Sequence, residues 1–187
     1  MALRISYVGE LGWEVYAPAE YGLHLWDTLW SAGKTLGVIA AGGGAFDSLR
    51  LEKGYRLWGT DIHSEYNPYE AGIGFAVRLK KGEFRGRLAL ERVKTTGLTR
   101  KLCCLTLEDP GVVVMGKEPI LDADRVLGYV TSANFGYTVR RSIAYGYLPA
   151  KYAAEGTPVD IYFFGCRHRA HVCREPLFDP ANERLRT

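Results

Sequence analysis

Residues 6–14, SYVGELGWE, place a phenol, an indole, two glycines and two carboxylates within one short segment. The glycines suit a hairpin, because glycine adopts the positive φ that tight turns need. If SYVG is one strand and GELG turns the chain back, Tyr7 and Glu14 face each other across that hairpin. A carboxylate beside an aromatic ring offers a packing face and a two-oxygen acceptor. That pair suits a flat heterocycle showing an amino group next to a ring N–H, as pterins and guanines do. The competing reading is an ordinary strand carboxylate turned to solvent.

Other candidate chemistry is weaker. GGG at 42–44, between an expected strand and an expected helix, invites a phosphate-loop reading, since helix N-termini attract anions. The Walker lysine and Ser/Thr are absent, and Asp47 holds the third glycine position of a G-x-G-x-x-G pattern starting at Gly42. A sterically tight turn is the simpler account. CRHRAHVC at 166–173 has metal-binding residue types, but on a strand Cys166 and His168 point away from His171 and Cys173, so the ligands do not converge on one metal. G-x-S-x-G is missing, and Cys103 and Cys104 sit in an apolar run that suits core packing.

Several elements must position these residues. Runs at 3–8 and 14–17 read as strands, and EYGLHLWDTLWSAG as an amphipathic helix with Leu23, Trp26 and Trp30 at helical spacing. VIAA at 38–41 reads as a buried strand, AFDSLRLEK as a helix stopped by Gly54, 73–79 as a strand and 84–93 as a helix. Beyond Gly97 come strand-like runs at 100–107, 126–133, 138–147, 158–164 and 167–174, separated by DPG, DAD, NFG and EGTP turns. The chain is therefore α+β: an N-terminal α/β portion over 1–97, then a small antiparallel β-barrel over 98–187.

An apolar share of 47% among 187 residues is enough for a sizeable core. The net charge of +3 is too small to argue for nucleic acid. No apolar run approaches the roughly 20 residues of a spanning helix, so no membrane role is expected. Four cysteines and no signal-peptide pattern point to reduced thiols in the cytoplasm.

YVGELGWE resembles the Y-x-G-E-x-G-x-E segment of the glycine-cleavage T-protein (aminomethyltransferase) family. FDSLRLEKGYRLWGTDI is similar to that family's R-D-x-L-R-L-E-x-G-x-x-L-x-G-x-D/E-I stretch, and NPYEAGIGFAVRLKKGEFRGRLAL to the next. GYVTSANFGYTVRRSIAYGYLP and GTPVDIYFFG resemble its C-terminal barrel. The resemblance implies tetrahydrofolate as one-carbon acceptor and an aminomethyl or methylated-amine donor. It implies folate contacts at Glu14, which would grip the pterin edge, and at Tyr7 and Tyr55, which would wall the pocket.

The departures matter as much. Phe46 stands where family members carry an arginine that meets folate, which removes a cation. LEKGYRLWG and PLFDPANERLR look closer to the folate domains of dimethylglycine and sarcosine dehydrogenases, whose FAD sits in a separate upstream domain. KKGEFRGR lacks the cysteine of the related iron–sulfur maturation branch. Family members reach Y-x-G-E-x-G-x-E only about halfway along the unit, and the catalytic aspartate lies in the earlier half. The chain thus reads as a C-terminal half, inactive or nearly so alone, with no catalytic residue of its own. The rival is a non-catalytic module that completes another chain or self-associates through the exposed half-domain face.

Overall fold

The computed structural model describes residues 1–186. Its dominant element is a closed barrel of antiparallel strands, joined in the order β3 (Arg100–Leu107), β6 (Arg141–Pro149), β5 (Arg125–Gly136), β4 (Pro119–Asp122), β7 (Pro158–Phe163) and β8 (Cys166–Cys173). Closure leaves no free sheet edge. The barrel interior is filled by Leu105, Ile120, Val130, Leu148, Val159 and Ile161, each almost wholly buried. β3 is buried on both faces from Leu102 onward. Cys103, Leu105 and Leu107 point inward, while Leu102 and Cys104 join Leu51, Ile143, Tyr145 and Tyr147 in a second cluster on the outer wall. A strand sandwiched in this way loses the polar–apolar alternation of a half-exposed one, which is why RKLCCLTL reads as nearly continuous apolar sequence.

The cover on that outer wall is helix α2 (Gly43–Glu52), anchored through Leu51. Before it come a two-residue pairing of β1 (Ala2–Leu3) with β2 (Glu14–Val15) and helix α1 (Gly22–Gly33); after it comes α3 (Arg87–Thr96). The C-terminal tail returns to α2, where the N–H groups of Leu177 and Phe178 both donate to the Glu52 carbonyl at 3.1 and 3.0 Å.

Several expectations need correction. Residues 38–41 form no strand; Ile39 is 80% exposed and has no sheet to join. The 73–79 segment folds as 3-10 turns at Gly74–Ala76 and Leu79–Lys81. α3 starts three residues late, after the left-handed Gly86 (φ 91°). GGG at 42–44 is not tight: a Cβ built on any of the three meets nothing within 4 Å. β4 escaped notice because it is only four residues long and its pairing with β5 shifts register between Ile120 and Leu121.

NFG is no turn either. β5 runs through it, with Asn134, Phe135 and Gly136 opposite Ile143, Ser142 and Arg141. Gly136 serves close packing: a Cβ there would meet Ile143 Cδ1, Val139 Cγ2 and Glu52 Oε1 at 2.7–2.9 Å. Glu52 cannot retreat easily, because its buried Oε1 accepts the N–H groups of Thr138 (2.6 Å) and Val139 (3.1 Å) in the β5–β6 turn. Gly136→Ala is therefore expected to lower unfolding stability by about 1–3 kcal/mol, read as a reduced melting temperature in a thermal scan followed by circular dichroism.

Candidate functional site

The end of α2 sets the site. Lys53 closes the helix and Gly54 turns left-handed at φ 73°. Gly54 N–H then donates to the Leu51 carbonyl (3.0 Å) and Tyr55 N–H to that of Arg50 (2.9 Å), a Schellman cap. This cap throws Tyr55 off the helix towards Tyr7. The two rings stack at 5.8 Å between centroids, and Phe46 of α2 also stacks with Tyr7, at 5.1 Å. Tyr7 is held by its hydroxyl, which donates to the Arg56 carbonyl at 2.5 Å. Burial raises the pKa of both phenols; for Tyr7 the Arg50 charge partly opposes this, and for Tyr55 the Asp179 charge adds to it. Both rings are neutral near pH 7.

Beside this aromatic ladder opens a cavity of about 410 Å³, lined by Tyr7, Tyr55, Lys53, Arg56, Phe75 and Glu175 among others. Its volume falls within the range of small-molecule pockets. Two ion pairs close its tail side. Arg56 Nη2 meets Glu175 Oε1 at 2.5 Å, with Nη1 at 3.0 Å from Oε2, and Lys53 Nζ meets Asp179 Oδ2 at 3.1 Å.

Tyr7 and Tyr55 both line this cavity. Glu14 does not join them. The β1–β2 register pairs Glu14 with Leu3, not with Tyr7, and Glu14 is absent from the cavity lining. Residues 7–11 bend instead of extending the strand, so the expected Tyr7–Glu14 juxtaposition across a hairpin is corrected. Glu14 Oε2 accepts the Tyr16 hydroxyl. Sequence reasoning missed Arg56 and Glu175, whose pairing spans 119 residues and leaves no local signal; charged positions inside GYR and REP were the only hint.

Beneath the ladder lies a buried polar network. Arg50, 2% exposed, donates to Asp61 Oδ2 (2.7 Å), Ser132 Oγ (2.9 Å) and Asp47 Oδ1 (2.8 Å). Asp61 Oδ1 accepts the Thr131 hydroxyl at 2.5 Å, and its Oδ2 accepts Leu57 N–H at 2.9 Å. Elsewhere the cysteines are free: burial pushes the Cys103 thiol up to about 11 and Cys104 higher still. On β8, His171 pairs with Glu108 at 2.6 Å, and among the described residues no His, Cys, Asp and Glu side chains converge as a metal site requires. No helix among them is long and apolar enough to cross a membrane.

The fold is an α+β unit with an aromatic-walled cavity beside a barrel-backed helix, and comparisons narrow its class. The model of the GCVT N-terminal domain matches residues 1–81, and that of the glycine cleavage T-protein C-terminal barrel domain matches 100–179. The chain belongs to the glycine-cleavage T-protein family. It is 39% identical to mitochondrial dimethylglycine dehydrogenase of Mus musculus over 98% of its own length and 22% of that relative. With the aminomethyltransferase of Symbiobacterium thermophilum the figures are 41%, 97% and 48%. The crystal structure of glycine cleavage system aminomethyltransferase T from Bartonella henselae superposes with a TM-score of 0.87 at 28% identity, over 95% of this chain and 49% of that one. The chain thus spans between about a fifth and a half of the length of these relatives.

Two outcomes follow from the charges. Asp61→Ala removes the buried counter-charge of Arg50, leaving it the half-exposed Asp47 carboxylate, and is expected to cost about 3 kcal/mol, measured by denaturant unfolding. At Asp179, burial raises the carboxyl pKa, but the N–H of Glu183, the Lys53 ammonium and the N–H of Arg184 outweigh it, and the group titrates below its ordinary 3.8. A depressed carboxyl contributes stability above its unfolded pKa and loses it as pH falls through the folded one. Hydrogen exchange at the amides of Glu183 and Arg184 should therefore show a protection loss below about pH 4, and Asp179→Asn should show it already at neutral pH.

Proposed function

We propose that this chain supplies part of a tetrahydrofolate site in a one-carbon transfer unit of the aminomethyltransferase or demethylating-dehydrogenase type. The observation that carries the reading is the stacked Tyr7–Tyr55 pair in the cavity wall, in a chain whose family is established by two domain matches. Stacked phenols give a flat heterocycle a face to lie against. Neutral hydroxyls held at fixed positions can orient it without adding charge. Bound tetrahydrofolate would supply the nitrogen that accepts the one-carbon unit; this chain's residues bind, orient and exclude water. Positioning of this kind is what transfer between two bound partners needs. Phe46, where the resemblance implies an arginine, packs on Tyr7 from outside the cavity lining and supplies no cation there.

Glu14 is assigned to the amino edge of the pterin, and its place on the short β1–β2 hairpin, outside the cavity lining, makes that assignment depend on the hairpin's surroundings. The catalytic carboxylate is assigned to a part of the unit that this chain does not match, and any FAD to a separate domain. The donor is an aminomethyl group or a methylated amine. Free thiols suit a reducing compartment, the cytoplasm expected from the sequence or the mitochondrion named for the murine relative. A second reading, a module that completes another polypeptide, is favoured by the bare apolar face of α1.

Isothermal titration of the full chain with tetrahydrofolate tests the first reading. Saturable binding is expected, weakened about tenfold or more by Tyr55→Ala. Wild-type affinity in that variant, with its fold intact, would remove Tyr55 from the site; for Glu14 the measurement is Glu14→Gln in an intact family member, where unchanged affinity would remove Glu14.

A further inference from the structure

All four cysteines lie on β3 and β8, the neighbouring strands that close the barrel. The register sets Cys104 directly opposite Cys173, on the last rung of the β3–β8 pairing. Both belong to the outer wall, where Cys173 packs against the cluster that contains Cys104. Cys103 cannot take the place of Cys104, because it points into the barrel interior. Cys166 lies at the far end of β8, opposite Phe163 of β7.

The rung is of the hydrogen-bonded kind. Val172 turns its backbone away from β3: its N–H donates to the Thr157 carbonyl at 3.0 Å, and its carbonyl accepts the N–H of Gly156 at 2.8 Å. Cys173, the next residue, therefore presents its backbone to β3. Arg169 does the same further along β8, where its carbonyl accepts the N–H of Glu108 at 2.9 Å. Opposed residues of this kind have Cα atoms about 5.5 Å apart, inside the roughly 4.4–6.8 Å that a disulfide spans. Their Cβ atoms start farther apart than in a relaxed disulfide, so closing the bond twists the rung. A terminal rung can take up that twist, because the two strands no longer pair beyond Cys173. A bond formed under such strain is readily reduced again.

Access to the two thiols is unequal. Cys104 is 1% exposed and burial raises its thiol pKa, which makes it a poor first nucleophile. Cys173 is half-buried, with its sulfur 2.9 Å from the Thr106 hydroxyl. Both residues line a cleft of about 270 Å³, whose walls come entirely from the barrel part of the chain.

We infer that Cys104 and Cys173 form a reversible dithiol–disulfide pair, oxidised by a low-molecular-weight disulfide of the glutathione type. The Cys173 thiolate attacks one sulfur of oxidised glutathione. A mixed disulfide forms as the old S–S bond breaks, and the released glutathione takes up the Cys173 proton. Cys104 then attacks the Cys173 sulfur, and its proton leaves with the second glutathione. Two protein thiols are oxidised to one disulfide while one glutathione disulfide is reduced to two thiols. The bond ties the root of the C-terminal tail to β3, just ahead of Glu175, the partner of Arg56 in the cavity wall. The pair would operate whether or not that cavity takes folate.

The test exposes the folded full chain, as Cys166→Ser to remove the exposed thiol, to oxidised glutathione at neutral pH. Non-reducing peptide mapping by mass spectrometry is expected to find a Cys104–Cys173 cross-link, with circular dichroism unchanged and the bond reversed by excess reduced glutathione. Adding Cys173→Ser should slow thiol loss about tenfold or more. Adding Cys104→Ala should halt the reaction at a mixed disulfide on Cys173, carrying the mass of one glutathione. Circular dichroism checks the fold of that variant, and the parent map together with Cys173→Ser decides the matter if it unfolds. A parent chain that keeps both thiols, stops at the mixed disulfide, pairs Cys103 in place of Cys104, or cross-links only once unfolded would overturn the inference. So would a cross-link that excess reduced glutathione leaves intact.

Discussion

The buried pairing of Arg50 with Asp61 is the constraint around which the molecule is arranged. Its 2.7 Å contact lies where both side chains are almost fully out of solvent, and neighbours on α2, on the loop after it and on β5 engage the other polar atoms. Ser132 and Thr131 belong to β5, Leu57 to the loop after α2, and Asp47 to α2 itself. A desolvated charge tolerates no vacancy in its shell. The network therefore fixes α2 against the barrel with an orientation that apolar packing through Leu51 would leave loosely specified.

That orientation decides where the aromatic rings go. The helix ends at Lys53, the left-handed Gly54 redirects the backbone, and Tyr55 and Arg56 emerge on opposite errands: one ring towards Tyr7, one guanidinium towards Glu175. Tyr7 closes the loop by donating to the Arg56 carbonyl. Helix end, N-terminal bend and C-terminal tail thus share a single junction, and the cavity lies at it.

What the sequence made legible was local or periodic. The long barrel strands, the helix ending at Gly54 and the aromatic partners Tyr7 and Tyr55 follow from apolar runs, a glycine stop and a motif. Long-range conditions were hidden. Asn134–Gly136 has turn composition, yet Ile143, Val139 and Glu52 crowd Gly136 and make it a packing glycine inside a strand. Residues 38–41 have strand composition, yet no sheet lies beside them. The Tyr7–Glu14 pairing failed because register depends on which residues bend: 7–11 bend, with Gly9 left-handed at φ 79°, and the Tyr7 hydroxyl is held by the distant Arg56 carbonyl.

The double-sided burial of β3 carries an evolutionary consequence. Because its outer wall is completed by α2 and the returning tail, a recombination event that lifted out the barrel strands alone would carry away an oily stripe around Leu102, Tyr145 and Tyr147. Gene fusions should therefore inherit helix, barrel and tail as one indivisible block. The colinear match to dimethylglycine dehydrogenase across 98% of this chain, within a relative several times longer, has the form such inheritance would leave.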